Sequence, residues 1–285
     1  MRKWAFTLWV CLILIFPGIS GAESSKFILL ASTIGPIDSG IVDLLENEFE
    51  KETAIRVRHV GAGTGAALDI ARAGNVDLCL AHAKALEEKF ILEGYGTERI
   101  PFMYNDFIIL GPASDPAGIK GMKKATEALQ KISQAGHPFI TRGDKSGTHV
   151  AEMEIWQEAG VKPSGPWYVT YEKGTEGNVP TLRFTDQKGA YTFMDRATYL
   201  VLKDQIKIMI LVEKDEVLLN FMSLIPVNPQ KFPRVNYADT LTFVKWLSHP
   251  GKGQRIVRDF GKDKYGSPLF FPNSREWKET QGQKN

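Results

Sequence analysis

Cysteine is nearly missing from this chain: Cys11 and Cys79 are the two in 285 residues. Cys11 lies inside an N-terminal apolar run with more apolar residues after it, so it is badly placed for lipid attachment and is expected to leave with that run. One thiol then remains, which excludes an internal disulfide. Cys79 sits in the apolar stretch 76–81 and reads as a buried, inert cysteine in a strand. An excess of one charge is missing too. Setting aside Arg2 and Lys3, 33 basic residues face 33 acidic ones, which is not the balance of a nucleic-acid surface. There is no repeat, no low-complexity tract and no second long apolar run. Enzyme signatures are absent as well: no Gly-x-Ser-x-Gly elbow, no Walker loop and no His-Glu-x-x-His. Residues 61–65, GAGTG, lack dinucleotide spacing. The five histidines (His59, His82, His137, His149, His249) show no ligand spacing, which argues against zinc. No cofactor and no catalytic residue are expected.

What is present begins with an export signal. Arg2 and Lys3 precede an apolar run from Trp4 to Phe16, closed by Pro17-Gly18, and Ser20 and Ala22 fit the −3 and −1 positions of a cleavage site. The run is shorter than the roughly 20 apolar residues that span a bilayer. Residues 1–22 therefore read as a signal peptide, and the protein as periplasmic or otherwise extracytoplasmic.

The remainder alternates strands and helices. Residues 26–31 (KFILLA), 55–60 and 76–81 read as strands. Residues 41–50, 66–73 and 85–93 read as helices, the first with Ile41, Leu44, Leu45 and Phe49 on one face and Asp38 or Ser39 as its cap. After a strand at 107–110, the stretch Gly111–Pro116 opens a second unit: helix 122–135, strand 138–141, helix 148–159, then strands at 206–212 and 218–227. Helices at 237–248 and 251–260 follow a proline-rich stretch, and the tail from Arg275 reads as frayed. This is an α/β pattern built on parallel strands. It is expected to form two lobes, 26–111 with 226–274 and 112–225, joined by two crossings around a cleft.

Three strand-to-helix turns are rich in Gly, Ser and Thr. They are Ser32-Thr33-Ile34-Gly35, Gly63-Thr64-Gly65, and the run from Arg142 to Thr148 that contains Asp144, Ser146 and Gly147. Helix starts expose unsatisfied N–H groups and the positive end of the dipole, so such turns suit anions; ordinary capping uses the same residues. In the third turn, Arg142 adds a forked donor suited to an oxyanion, with Ser146 and Thr148 flanking Gly147. Asp144 either locks Arg142, accepts from a protonated ligand oxygen, or caps the helix. His82 and His149 are further candidate donors. Trp167, Tyr168, Tyr171 and Tyr191 suit a core more than a cleft.

These stretches carry a resemblance. Asp38-Ser39-Gly40, Gly63-Thr64-Gly65, Glu93-Gly94-Tyr95-Gly96, Met103-Tyr104-Asn105-Asp106-Phe107, Arg142-Gly143-Asp144 with Ser146-Gly147-Thr148-His149, Asp195-Arg196, and the run from Phe260 to Gly266 resemble the tungstate-binding proteins of ABC importers. That family belongs to the type II periplasmic-binding-protein superfamily. The resemblance implies a monomeric two-lobed protein that captures a small oxyanion, tungstate or molybdate, and hands it to a membrane permease. Three stretches depart from the family pattern: Ser32-Thr33-Ile34-Gly35 stands where four hydroxyl residues are usual, residues 173–180 carry Glu176, and residues 219–223 read LNFMS. Phosphate or a small organic anion stays open as cargo, a membrane-docked sensor as role, and a phosphate-ester hydrolase or transferase as a different class.

Overall fold

The computed structural model describes residues 27–144 and 146–282; the predicted signal segment lies outside them. Ten strands form one continuous sheet: β1 (Phe27–Thr33), β2 (Arg56–Ala62), β3 (Leu78–Ala81), β4 (Ile100–Gly111), β5 (Phe139–Thr141), β6 (Tyr168–Thr170), β7 (Tyr191–Asp195), β8 (Met209–Val212), β9 (Leu219–Pro226) and β10 (Phe271–Pro272). The main order is β2-β1-β3-β9-β4-β7-β5-β6. β1 runs parallel to β2 and β3, and β5 runs parallel to β6 and β7.

β4 joins the two halves. Its first part, from Ile100 to Asp106, pairs with β9, while Phe107 to Leu110 pairs with β7. The packing divides at the same place. Ile28, Leu30, Phe102, Met103, Met222 and Phe243 share one core, and Phe107, Ile109, Leu129, Phe139, Trp156 and Tyr191 share another. A strand of 12 residues replaces the short one expected at 107–110. Its apolar pattern is interrupted by Asn105 and Asp106, which are buried yet satisfied from far along the chain. Asn220 donates to Asn105 (2.7 Å), and Arg196 Nε donates to both carboxylate oxygens of Asp106 (2.8 and 3.0 Å).

The helix Ile41–Thr53 covers one face of β1 and β2 by burying Ile41, Val42, Leu45 and Phe49. Leu44, expected on that face, is exposed, and Val42 takes its place. Phe49 packs on Phe243 and Trp246 with ring centroids 4.7 and 5.6 Å away; truncation of such a residue costs about 3–5 kcal/mol. The expected cap at Asp38 or Ser39 is wrong. Residues Ile34–Ser39 are themselves a short helix, so the joint falls on Gly40, whose φ of 85° suits glycine. The tail is also more ordered than expected: Arg275–Thr280 is a helix, with Ser274 accepting from the Trp277 N–H (3.1 Å). The helices Asn178–Lys188 and Arg196–Leu202 fill a stretch that periodicity leaves unassigned. Among the described residues no helix is long and apolar enough to cross a membrane.

Candidate anion-binding site

Both sets of parallel strands direct their carboxyl ends to one cleft, the usual place for a ligand in an open α/β sheet. On one side β1, β2 and β3 end at Thr33, Ala62 and Ala81, followed by Ile34, Gly63 and His82. On the other, β5 and β7 end at Thr141 and Asp195, followed by Arg142 and Arg196. The sides touch through His82 and Gly147. A Cβ on Gly147 would fall 2.0 Å from His82 Cε1, so only glycine allows this approach.

Alternation along β1 sorts the first turn. Thr33 shares the face of Ala31, which packs with Ala67 of the helix Thr64–Arg72. Thr33 and Thr64, at the N-terminus of that helix, therefore meet on the same side of the sheet. Their hydroxyl oxygens are buried and have no hydrogen-bond partner among the described residues. Ser32 falls on the opposite, Leu30 face, and its hydroxyl donates to the Thr33 carbonyl (3.1 Å). Ser32 and Thr33 thus do not present their hydroxyls together. Gly63 caps the helix by backbone alone, and a Cβ on either Gly63 or Gly65 would meet open space.

The third turn is held from within. Arg142 Nη1 donates to Asn178 Oδ1, Nη2 donates to Asp144 Oδ2, and Nε donates to the Gly174 carbonyl (3.3 Å). A Cβ on Gly174 would lie 2.0 Å from the Arg142 carbonyl oxygen, which explains the glycine there. Of the roles open to Asp144, the lock on Arg142 is the one adopted. The cap is Ser146, which accepts from the His149 N–H (3.3 Å). Burial works against the Asp144 carboxylate, but hydrogen bonds from Ser146 and the Arg142 charge outweigh it and hold the carboxyl below its ordinary range.

Asn178 is the residue that sequence reasoning missed. It takes Arg142 and the Thr148 hydroxyl (3.4 Å) on Oδ1, and its Nδ2 donates to Asp195 (2.7 Å). Asp195 in turn caps the next helix through Thr198 N (2.8 Å). Asn178 lies in the stretch that departs from the family pattern, so no motif marked it. Glu176, the acid noted there, is exposed and 3.8 Å from Lys173.

Electrostatically the cleft is not cationic. Arg142 is matched by Asp144, and Asp195 is linked to it through Asn178. Asp38 comes from the other side: burial, helped by Asp195 and opposed by Arg142, pushes its carboxyl up. His82 Nδ1 donates to Asn220 Oδ1 (2.9 Å), and burial depresses its pKa, which favours the neutral ring. Burial also lowers His149. The cleft therefore offers hydroxyls, backbone N–H groups and one neutralised guanidinium. That donor set suits an oxyanion through dipoles rather than through net charge. Cys79 plays no part: it is fully buried, and burial pushes its thiol up to about 12.

Comparison with known proteins agrees with this geometry. Residues 20–249 match the PBP superfamily domain. The tungstate-binding protein TupA of Peptoclostridium acidaminophilum is 44% identical over 258 residues, covering 90% of this chain and 89% of that one. The structure of TupA from Desulfovibrio alaskensis G20 superposes with a TM-score of 0.78 at 38% identity, covering 88% of this chain and all of that one. The tungstate ABC transporter structure from Geobacter sulfurreducens gives 0.73 at 39% identity, covering 82% and 99%. The chain belongs to the PBP superfamily and, within it, to the family of the tungstate-binding proteins TupA.

Proposed function

We propose that this protein captures tungstate in the cleft between its two sheet halves and delivers it to the permease of an ABC importer. The observation that carries the reading is the pair of buried hydroxyls, Thr33 and Thr64, which have no hydrogen-bond partner among the described residues and lie where β1 and β2 end. Buried polar groups are almost always hydrogen-bonded, so two orphans on one side of the sheet call for a ligand acceptor. Members of the family are named for tungstate binding and for the tungstate ABC transporter. The proposed contacts are Thr33, Thr64, Arg142, Ser146, Gly147 and Thr148, with His82 and Asn178 framing them. Residues 1–22 direct export, and the protein works as a monomer outside the cytoplasm. The lobes follow 26–111 with 226–274 and 112–225, except at the crossing strands, where β4 changes lobe at Asp106–Phe107 and β9 packs with the first lobe. Ligand draws the lobes together by favouring the closed state.

Calorimetry with tungstate, molybdate, sulfate, phosphate and small carboxylates tests the cargo. Tight binding of tungstate supports the reading. A response to phosphate or a carboxylate alone would replace tungstate, and silence from every anion would sink the site itself.

A further inference from the structure

Away from the cleft, the helix Ile41–Thr53 and the sheet's outermost strand β2 bring together three metal-ligating side chains. Asp43 and Glu46 are three residues apart and so share a side of the helix. His59 follows Val57 by two residues in β2, which puts it on the face that this helix covers. His59 Nδ1 lies 3.1 Å from Glu46 Oε1 and 3.9 Å from Asp43 Oδ1, and the donor atoms of all three lie within 4.8 Å of one another. None of the three serves the anion site.

The chemistry of this trio is unusual for an ordinary surface ion pair. Glu46 is only 4% exposed, and among the described residues its one hydrogen-bond partner is His59. The nearby cation, Arg58, is engaged with Glu50 at 2.9 Å. Two carboxylates and an imidazole supply the mixed oxygen and nitrogen donors that a zinc-class cation takes. Donors held about 2.0–2.2 Å from a tetrahedral ion are about 3.4 Å apart. The His59–Glu46 spacing already matches this value, and the exposed Asp43 side chain closes on the other two.

The geometry points to a binding site for a zinc-class divalent cation formed by Asp43, Glu46 and His59, pinning the edge strand β2 to the helix Ile41–Thr53. The imidazole favours zinc over magnesium or calcium, which prefer oxygen ligands alone. Histidine spacing along the chain gave no sign of this, because two of the ligands are acids that only the helix-on-sheet packing brings to His59. A fourth position is left for water.

The test uses untagged protein and zinc ion alone, followed by calorimetry or competition with a chromophoric chelator. One Zn²⁺ per chain is expected, with a rise in melting temperature and unchanged tungstate binding. His59→Asn and Glu46→Gln are expected to weaken zinc at least tenfold, whereas His249→Asn leaves it unchanged. Because Glu46 is buried, Asp43→Asn provides a variant at a surface position whose folding is not at risk, and it too is expected to weaken zinc. Cobalt substitution should give a four-coordinate visible spectrum that disappears in His59→Asn. No saturable zinc binding, or equal affinity in wild type and all three site variants, would overturn the proposal.

Discussion

His82 and Gly147 meet across the cleft so closely that the imidazole Cε1 occupies the space a side chain on Gly147 would need, with 2.0 Å between Cε1 and that Cβ position. One residue follows β3, and the other starts the helix that carries the Arg142 turn. Their contact is a gauge of how closed the two halves are. Gly147→Ala should therefore oppose closure without disturbing either half. Overpacking of this kind costs about 1–3 kcal/mol, or about five- to 140-fold in anion affinity. The melting temperature without ligand should barely change. Calorimetry decides it, and adding His82→Ala should restore part of the loss. Equal affinity in Gly147→Ala would show that the halves do not close on this contact.

Thr33→Val and Thr64→Val should have opposite effects on stability and on binding. Each removes a buried hydroxyl that has no partner among the described residues and keeps the shape. Without ligand, the protein should be as stable or more so, by up to about 1–2 kcal/mol. With ligand, a hydrogen bond to a charged group is lost, worth about 1.5–3 kcal/mol. That is a ten- to hundredfold drop in affinity. Denaturant titration and calorimetry on the same samples check both signs. Loss of stability with unchanged binding would place these hydroxyls outside the site.

Asn178→Ala should injure the site more than the fold. It removes the acceptor shared by Arg142 and Thr148 and the donor to Asp195 (2.7 Å). The guanidinium would then be tied only to Asp144 and the Gly174 carbonyl. Losing hydrogen bonds to charged groups costs about 1.5–3 kcal/mol each, so affinity should fall at least tenfold. Asn178→Asp should be worse, because it adds a third carboxylate around Arg142. An Asn178→Asp variant that binds anion as wild type does would remove Asn178 from the mechanism.

Glu152 should give the fold a measurable pH dependence. It is buried behind the anion turn, where burial pushes its carboxyl from the ordinary 4.5 up to about 7 although Tyr168, Thr141 and Trp156 all donate to it. Because the folded state holds this proton more tightly than the unfolded chain, stability is highest below the ordinary value. It is lost as pH rises from about 4.5 to about 7. The loss is on the order of 3 kcal/mol. Glu152→Gln should flatten that part of the profile when urea midpoints are compared from pH 4 to 8. Parallel profiles for the two proteins would show that Glu152 titrates normally.

The α/β class, the first three strands and helices, the Arg142 turn and the inert Cys79 were legible along the chain, because strand and helix periods and glycine-rich turns are local signals. The helix Tyr237–Ser248 was legible to the residue for the same reason. The length of β4 was not. Buried Asn105 and Asp106 look like turn residues until Asn220 and Arg196 arrive from 115 and 90 positions away. Nor was the short helix Ile34–Ser39, whose proline and glycine read as a plain turn.

By itself, then, the sequence determined which residue types could meet an oxyanion and on which turns they lie. Tertiary structure decided which of them converge. The alternation of β1 turns Ser32 away from Thr33, and Asn178 reaches Arg142 from 36 positions further on. His59 finds two acids on a helix rather than another histidine nearby. Each of these depends on which face of a strand a side chain leaves and what packs against that face, and contacts of that kind are fixed only when distant segments fold against one another.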